Sequence, residues 1–317
     1  MPFAAIVPQL RAVGNLPAPV RGALWMCGAA AAFAGMVNLV RLLSAGFDPL
    51  QIVFFRTAFG LLAMLPWLAG HGLGALRTER LGLHLLRAAI GLAAMVLWFT
   101  TLALLPLAEA TALSFTAPVF TSVLAVVFLG EAMRARRWTA TAIGFLGALI
   151  VLRPGVEAVN PAALLAILTA AVWATSTIVV KILARTDEPA AIATYMTLLL
   201  TPLSLVPALL VWRTPGLTDL GLCVLLGAAG SIGHVCMARA LATSEASLVM
   251  PFDYLRLPLV AFFAYLLFDQ VPDVWTWVGG AVIAGSSLYI ARREARARRA
   301  AAATAPVASP APLRGRS

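Results

Sequence analysis

Apolar residues run along this chain in long stretches separated by short polar punctuation. The stretches fall at about 23–45, 49–69, 81–103, 106–128, 138–152, 161–183, 189–212, 217–241, 244–268 and 274–291. A helix needs roughly 20 apolar residues to cross a bilayer. The pattern therefore predicts an all-α integral membrane protein with ten transmembrane helices. Its connections are short, as in a compact bundle. The fifth and tenth stretches are the shortest and have the least distinct ends.

Composition agrees. The chain is 62% hydrophobic and 11% charged, with a mean hydropathy of +0.94. Soluble domains are about 45–50% apolar and about 25% charged. The lipid bilayer is thus the first expected partner. The net charge of +10 does not point to nucleic acid, because seven of the 23 Lys and Arg residues lie in the tail after Ile290. With the N-terminus inside, fifteen arginines fall in inside segments, and only Arg153 and Arg213 fall outside. That bias places both termini in the cytoplasm. Pro2–Leu10 is short, holds two prolines and has no basic region before it, so it does not read as a signal peptide. Residues 1–21 are expected to be a cytoplasmic segment, and 292–317 a basic, disordered cytoplasmic tail.

The chain also repeats itself. An offset of 140 brings Phe33 onto Trp173, Arg41 onto Lys181, Asp48 onto Glu188 and Pro49 onto Pro189. An offset of 136 brings Gly91 onto Gly227, Glu109 onto Glu245 and Ala110 onto Ala246. Phe128–Leu129–Gly130–Glu131 faces Leu267–Phe268–Asp269–Gln270. Residues 22–153 and 154–291 are thus two copies of one five-helix unit. An odd number of spans turns the second copy upside down, and the loop charges invert with it. Loop 130–137 carries three arginines, and its counterpart 269–273 carries none. Inverted repeats typify carriers that open one site alternately to two sides.

Three stretches carry a family resemblance. They are Phe54–Phe55–Arg56 with Leu65–Pro66, the run from Leu104 through Glu109 and Pro118 to Glu131, and Gly144–Leu152. In these the chain resembles the EamA-type branch of the drug/metabolite transporter superfamily, over about residues 21–291. It departs at Gln270, where a glutamate matching Glu131 is common. The resemblance implies ten helices in two inverted five-helix halves and a small-molecule substrate. The reading is a secondary transporter of the bacterial inner membrane. Its leading substrate is an amino acid or related metabolite, moved outward by alternating access. The alternative is uptake of a nutrient or cofactor such as S-adenosylmethionine or riboflavin, both handled by members of this family.

Candidate chemistry centres on the ninth stretch. Asp253 and Arg256 are three residues apart, hence on one helix face, between Pro251 and Pro258. A charge at mid-bilayer costs at least roughly 2.5–3.5 kcal/mol on insertion scales. Two readings stand: a structural ion pair, or a substrate path in which Asp253 accepts protons, making the proton a candidate coupling ion. Arg56 lies too deep for easy snorkelling. It reads as a group that binds a carboxylate or phosphate, or that pairs with an acid such as Glu109. Ser114, Thr116 and Tyr254 are polar residues near mid-depth. Trp98 and Trp173 are too deep for an interfacial belt, so they either pack the core or wall a pocket. The expected substrate-binding set is Arg56, Trp98, Ser114, Thr116, Trp173, Asp253, Tyr254 and Arg256. Spans 4 and 9 should wall the pocket, with spans 1, 3, 6 and 8 completing it.

Other features have plainer readings. Glu109 and Glu245 open helices, where the backbone dipole favours an acid. His234 reads as hydrogen-bonded structure, and Gly227, Gly230 and Gly233 as close helix packing. Cys223, His234 and Cys236 show no metal-site spacing, and no cofactor is expected. No P-loop is present, so ATP does not drive transport directly. Three histidines, no HExxH and no clustered acids argue against an enzyme.

Overall fold

The computed structural model describes residues 17–71, 78–130, 135–153, 160–183, 186–187, 189–243 and 249–304. Glu131, Glu245, the first sixteen residues and the stretch after 304 lie outside these. The described elements are all helical. Span 1 is Ala18–Leu43, span 2 Pro49–His71, span 3 Leu81–Leu104, span 5 Ala135–Leu152, span 6 Pro161–Leu183, span 7 Pro189–Leu210 and span 8 Leu217–Thr243. Span 4 comes in two pieces, Leu107–Ser114 and Ala117–Leu129. Span 9 begins as a 3₁₀ turn, Met250–Leu255, and continues as an α-helix, Arg256–Phe268. Span 10 is Val274–Thr304.

Local chemistry sets these limits. Pro49, Pro161 and Pro189 open their helices, where a missing N–H costs nothing. The carboxylate or amide oxygens of Asp48, Asn160 and Asp273 accept from the N–H groups of Leu50, Ala162 and Thr276 and cap spans 2, 6 and 10. Spans 4 and 9 stop on left-handed residues at matching places, Gly130 at φ 66° and Asp269 at φ 52°. Both breaks have the same cause. A proline inside a helix removes one donor and crowds the carbonyl four residues back. That carbonyl belongs to Ser114 for Pro118 and to Tyr254 for Pro258, and each helix breaks there.

One expectation is corrected. Span 10 does not end at 291 but stays helical through Thr304, across residues expected to be disordered. The Ala-, Arg- and Glu-rich sequence there consists of strong helix formers.

The helix pairings follow the repeat. The most extensive contacts join spans 1 and 8, 5 and 10, and 3 and 6. Exchanging the halves turns the 1/8 pair into 6/3, 2/8 into 7/3 and 4/6 into 9/1, while 5/10 and 2/7 map onto themselves. Glycines permit the tightest of these. A Cβ on Gly279 would stand 2.7 Å from the Gly147 carbonyl oxygen, so spans 5 and 10 cross backbone to backbone.

The two ends of the bundle are closed differently. At one end, Gln51 donates through Nε2 to the Arg213 carbonyl (2.6 Å) and accepts at Oε1 from the Arg213 N–H (3.1 Å). There too, Gln270 Oε1 accepts from the Leu107 N–H (3.0 Å), and Arg153 pairs with Asp273. At the other end, Asp187 accepts from Thr78 (2.6 Å) and lies 2.7 Å from Nε2 of the buried His84, which stacks on Tyr195. Hydrogen bonds from Thr78, then His84 and Thr186, hold the Asp187 carboxyl down at about 2.

Candidate functional site

A cavity of about 260 Å³ opens between the halves at mid-span. Both broken spans reach it. From span 4 come Ser114 and Phe115, and from span 9 come Asp253, Tyr254 and Arg256. Spans 1, 3, 6 and 8 supply Phe33, Trp98, Trp173 and His234, and span 2 adds Arg56. Seven of the eight predicted residues therefore line one space.

The eighth, Thr116, does not. It is fully buried, and its hydroxyl donates to the Leu113 carbonyl at 2.7 Å. At the break the chain leaves helical register, so Phe115 takes the wall and Thr116 turns into the packing. Ser114 remains on the wall but donates its hydrogen to the Thr111 carbonyl, also at 2.7 Å.

The lining obeys the repeat. Offset 140 relates Phe33 to Trp173, offset 136 relates Trp98 to His234, and offset 139 relates Ser114 to Asp253 and Phe115 to Tyr254. The cavity thus lies on the axis that exchanges the two halves. Its charge is not shared equally. The span 3, 4 and 6 wall is Trp98, Ser114, Phe115 and Trp173, while the charged groups gather on spans 2 and 9.

Arg256 faces Asp253 loosely, with 3.5 Å between Nη2 and Oδ2. Its guanidinium lies 5.1 Å over the Phe115 ring, which meets Tyr254 edge-on at 4.8 Å. The Phe115 ring thus packs against the guanidinium at the cavity wall. Asp253 Oδ1 and Arg256 Nε are both buried and have no hydrogen-bond partner among the described residues.

Arg56 reaches the cavity through a gap in span 8. A Cβ on Gly230 would stand 3.1 Å from its Nε, so the glycine makes room for the side chain. Nη2 comes to 3.4 Å from His234 Nδ1, which itself lies 2.7 Å from the Gly230 carbonyl. That carbonyl can only accept, so Nδ1 carries a hydrogen and donates it, leaving Nε2 as the ring's other polar atom. His234 also meets Phe33 edge-on at 5.1 Å. Sequence reasoning set His234 aside as structural. The signal that would have found it is its match to Trp98 under the offset that pairs Gly91 with Gly227.

Glu109 sits half-buried in the first turn of Leu107–Ser114, where the helix dipole favours an acid.

A family model described as the EamA-like transporter family matches residues 20–153 and again 160–292, which are the two halves of the bundle. The chain belongs to the EamA-like transporter family. Its relatives in that family carry varied solutes. The chain is 36% identical over 284 residues to a riboflavin transporter of Rhizobium johnstonii, covering 88% of this chain and 94% of the relative. It is 32% identical over 247 residues to an S-adenosylmethionine uptake transporter of Rickettsia bellii, covering 78% and 85%. It is 29% identical over 266 residues to a pseudopaline exporter of Pseudomonas aeruginosa, covering 82% and 92%. A solved crystal structure shares the fold at a TM-score of 0.59 and 19% identity, covering 86% of this chain and 97% of the other. The EamA-like protein described here is therefore a multi-pass membrane transporter of a small molecule.

Proposed function

We propose that this protein is a secondary carrier for a planar heteroaromatic solute of the riboflavin kind. It works by alternating access in the bacterial inner membrane, with both termini cytoplasmic, and it takes up rather than exports its solute. The observation that carries this reading is the cavity lining. Aromatic faces from both halves surround a small polar cluster in a space of about 260 Å³. Sites for small organic ligands are mostly apolar with a few placed polar groups. An amino acid, the leading expectation from sequence, offers little surface to such walls. The polar cluster holds two guanidiniums, Arg56 and Arg256, against one carboxylate, Asp253. That balance suits a neutral solute rich in carbonyl acceptors better than cationic S-adenosylmethionine. The riboflavin transporters among the relatives support the same substrate class.

Counterflow of labelled riboflavin in proteoliposomes tests the reading. Accumulation against preloaded unlabelled riboflavin is expected. Flux of S-adenosylmethionine without flux of riboflavin would transfer the assignment to the second relative. An imposed pH gradient in the same vesicles tests Asp253 as the coupling proton's acceptor, with a change in initial rate expected. For the orientation, alkaline phosphatase fused after Ala300 should stay inactive.

A further inference from the structure

We infer that the groove between spans 5 and 10 is a binding site for an anionic phospholipid, with an acyl chain in the groove and the headgroup phosphate on an arginine stripe at its end. The groove has a volume of about 370 Å³. Thr139 and Ile143 of span 5 line it, with Val282, Gly285, Ser286 and Tyr289 of span 10. It shares no lining residue with the cavity between the halves. Thr139, Ile143, Gly285 and Tyr289 are exposed, so the hollow is open from outside the bundle. Ser286 is buried and donates its hydrogen to the Ile283 carbonyl at 2.8 Å.

A glycine keeps the hollow open. Where the two helices cross, a Cβ on Gly144 would stand 2.8 Å from Ser286 Oγ, and one on Gly147 would stand 2.7 Å from Ile283 Cγ1. A Cβ on Gly285 would meet nothing within 4 Å. Packing between the helices therefore demands small residues at the crossing and makes no such demand at Gly285.

The groove ends at a positively charged level. Residues three or four apart share a helix face. Arg292 and Arg293 follow Tyr289 at those spacings, and Arg296 lies one further turn along. Arg136 precedes Thr139 by three. The antiparallel register of Gly144 on Ser286 and Gly147 on Ile283, carried two turns on, brings Arg136 level with Arg293. Glu294, the one acid from 291 to 304, is five residues past Tyr289 and off that face. Trp138 and Tyr289 are exposed at the same end, and such rings sit at headgroup level. Basic pockets between membrane helices bind anionic headgroups, and a guanidinium matches a phosphate geometrically. A second copy of the chain fits less well, because a two-fold contact sets each surface against itself and so arginines against arginines.

The test uses the full chain in detergent and two probes, dioleoyl phosphatidylglycerol and dioleoyl phosphatidylcholine. They share their chains and differ in headgroup charge. Native mass spectrometry reads the lipid bound. Phosphatidylglycerol should bind at least fivefold tighter. Arg293→Gln should cut that preference at least twofold, whereas Arg298→Gln, nine residues past Tyr289 and on the opposite face, should leave it unchanged. Gly285→Leu fills the groove and should weaken both lipids at least fivefold without lowering the thermal midpoint, since leucine suits a helix better than glycine. Equal affinity of the two probes for the unsubstituted protein overturns the site, and so do equal losses in Arg293→Gln and Arg298→Gln. A dimer that Gly285→Leu dissolves, with lipid binding unchanged, gives this face to a second copy and overturns it too. If a variant does not fold, the two probes on the unsubstituted protein decide alone.

Discussion

Spans 4 and 9 are the same element made twice, and they have diverged at one point. Each contains a proline that breaks the helix four residues earlier, at Ser114 and at Tyr254. In span 4 the break heals itself. Ser114 and Thr116 give their hydroxyl hydrogens to the carbonyls of Thr111 and Leu113. In span 9 the matching stretch carries Asp253 and Arg256, and leaves a buried acceptor and donor without partners among the described residues. The comparison separates two uses of one irregularity. A broken helix inside a membrane is tolerated where freed backbone groups face protein or a wet cavity. Span 4 keeps that geometry as a largely apolar wall, and span 9 uses it to place an acid and a base beside the cavity.

The largest expected contrast is in flux. Arg256→Ala should lower counterflow at least a hundredfold while the yield of folded protein stays near normal. Thr116→Val, at the matching break, should stay within twofold of the parent. Comparable losses in both would sink the division of roles. A second contrast concerns packing at paired glycines. A Cβ on Gly227 would meet Phe59 Cβ at 2.5 Å and the Gly60 backbone nitrogen at 2.8 Å, whereas on Gly91 it meets the mobile end of Met196 at 2.6 Å. Overpacking costs about 1–3 kcal/mol where neighbours cannot yield. Gly227→Ala should therefore lower the thermal midpoint clearly, and Gly91→Ala only slightly. Equal shifts would show that the second-half crossing has slack absent from its geometry.

The smallest effect is one of pH and compares the two ends. The Asp187 carboxyl is held at about 2 by Thr78, His84 and Thr186, below the usual carboxylate range of about 3.9. A depressed carboxylate stabilises the fold above its unfolded value and loses that stabilisation as pH falls through its folded value. The contribution of Asp187 is thus complete above about pH 4 and fades toward about pH 2. Thermal midpoints of the parent and of Asp187→Asn should differ near neutral pH and converge as pH falls from about 4 toward about 2. The Gln51–Arg213 closure is an amide on backbone and has no titratable group in those two bonds, so Gln51→Ala should shift stability equally at every pH.

Most of this fold was legible because bilayer physics writes it in large letters. Apolar length sets the spans, and observed ends such as Leu104, Leu183 and Phe268 fall within a residue of the expected ones. The paired positions of Phe33 and Trp173 already announced the repeat. The site was legible where a residue had no other reason to be at that depth, as with Arg56, Asp253 and Trp98. Thr116 misled because helical periodicity was carried through a break that the prolines imply but do not phase. Phe115, beside it, drew no notice because an apolar residue in an apolar span carries no signal of its own. His234 was hidden because a single polar residue says nothing of direction until Gly230 is seen to open a path for Arg56. The helix beyond 291 was missed because charge was weighed above the helix propensity of alanine and arginine.

The place of the charged cluster beside a mid-span cavity has an electrical consequence for the proposed alternating access. In that reading, groups held at mid-span keep nearly the same depth, so Arg56, Asp253 and Arg256 cross little of the membrane field. Moving one elementary charge through the whole field is worth about 2.3 kcal/mol per 100 mV. A neutral solute adds nothing to that term. In that reading, any voltage dependence of the flux reports charge carried by ions coupled to it, and its steepness counts that charge per turnover.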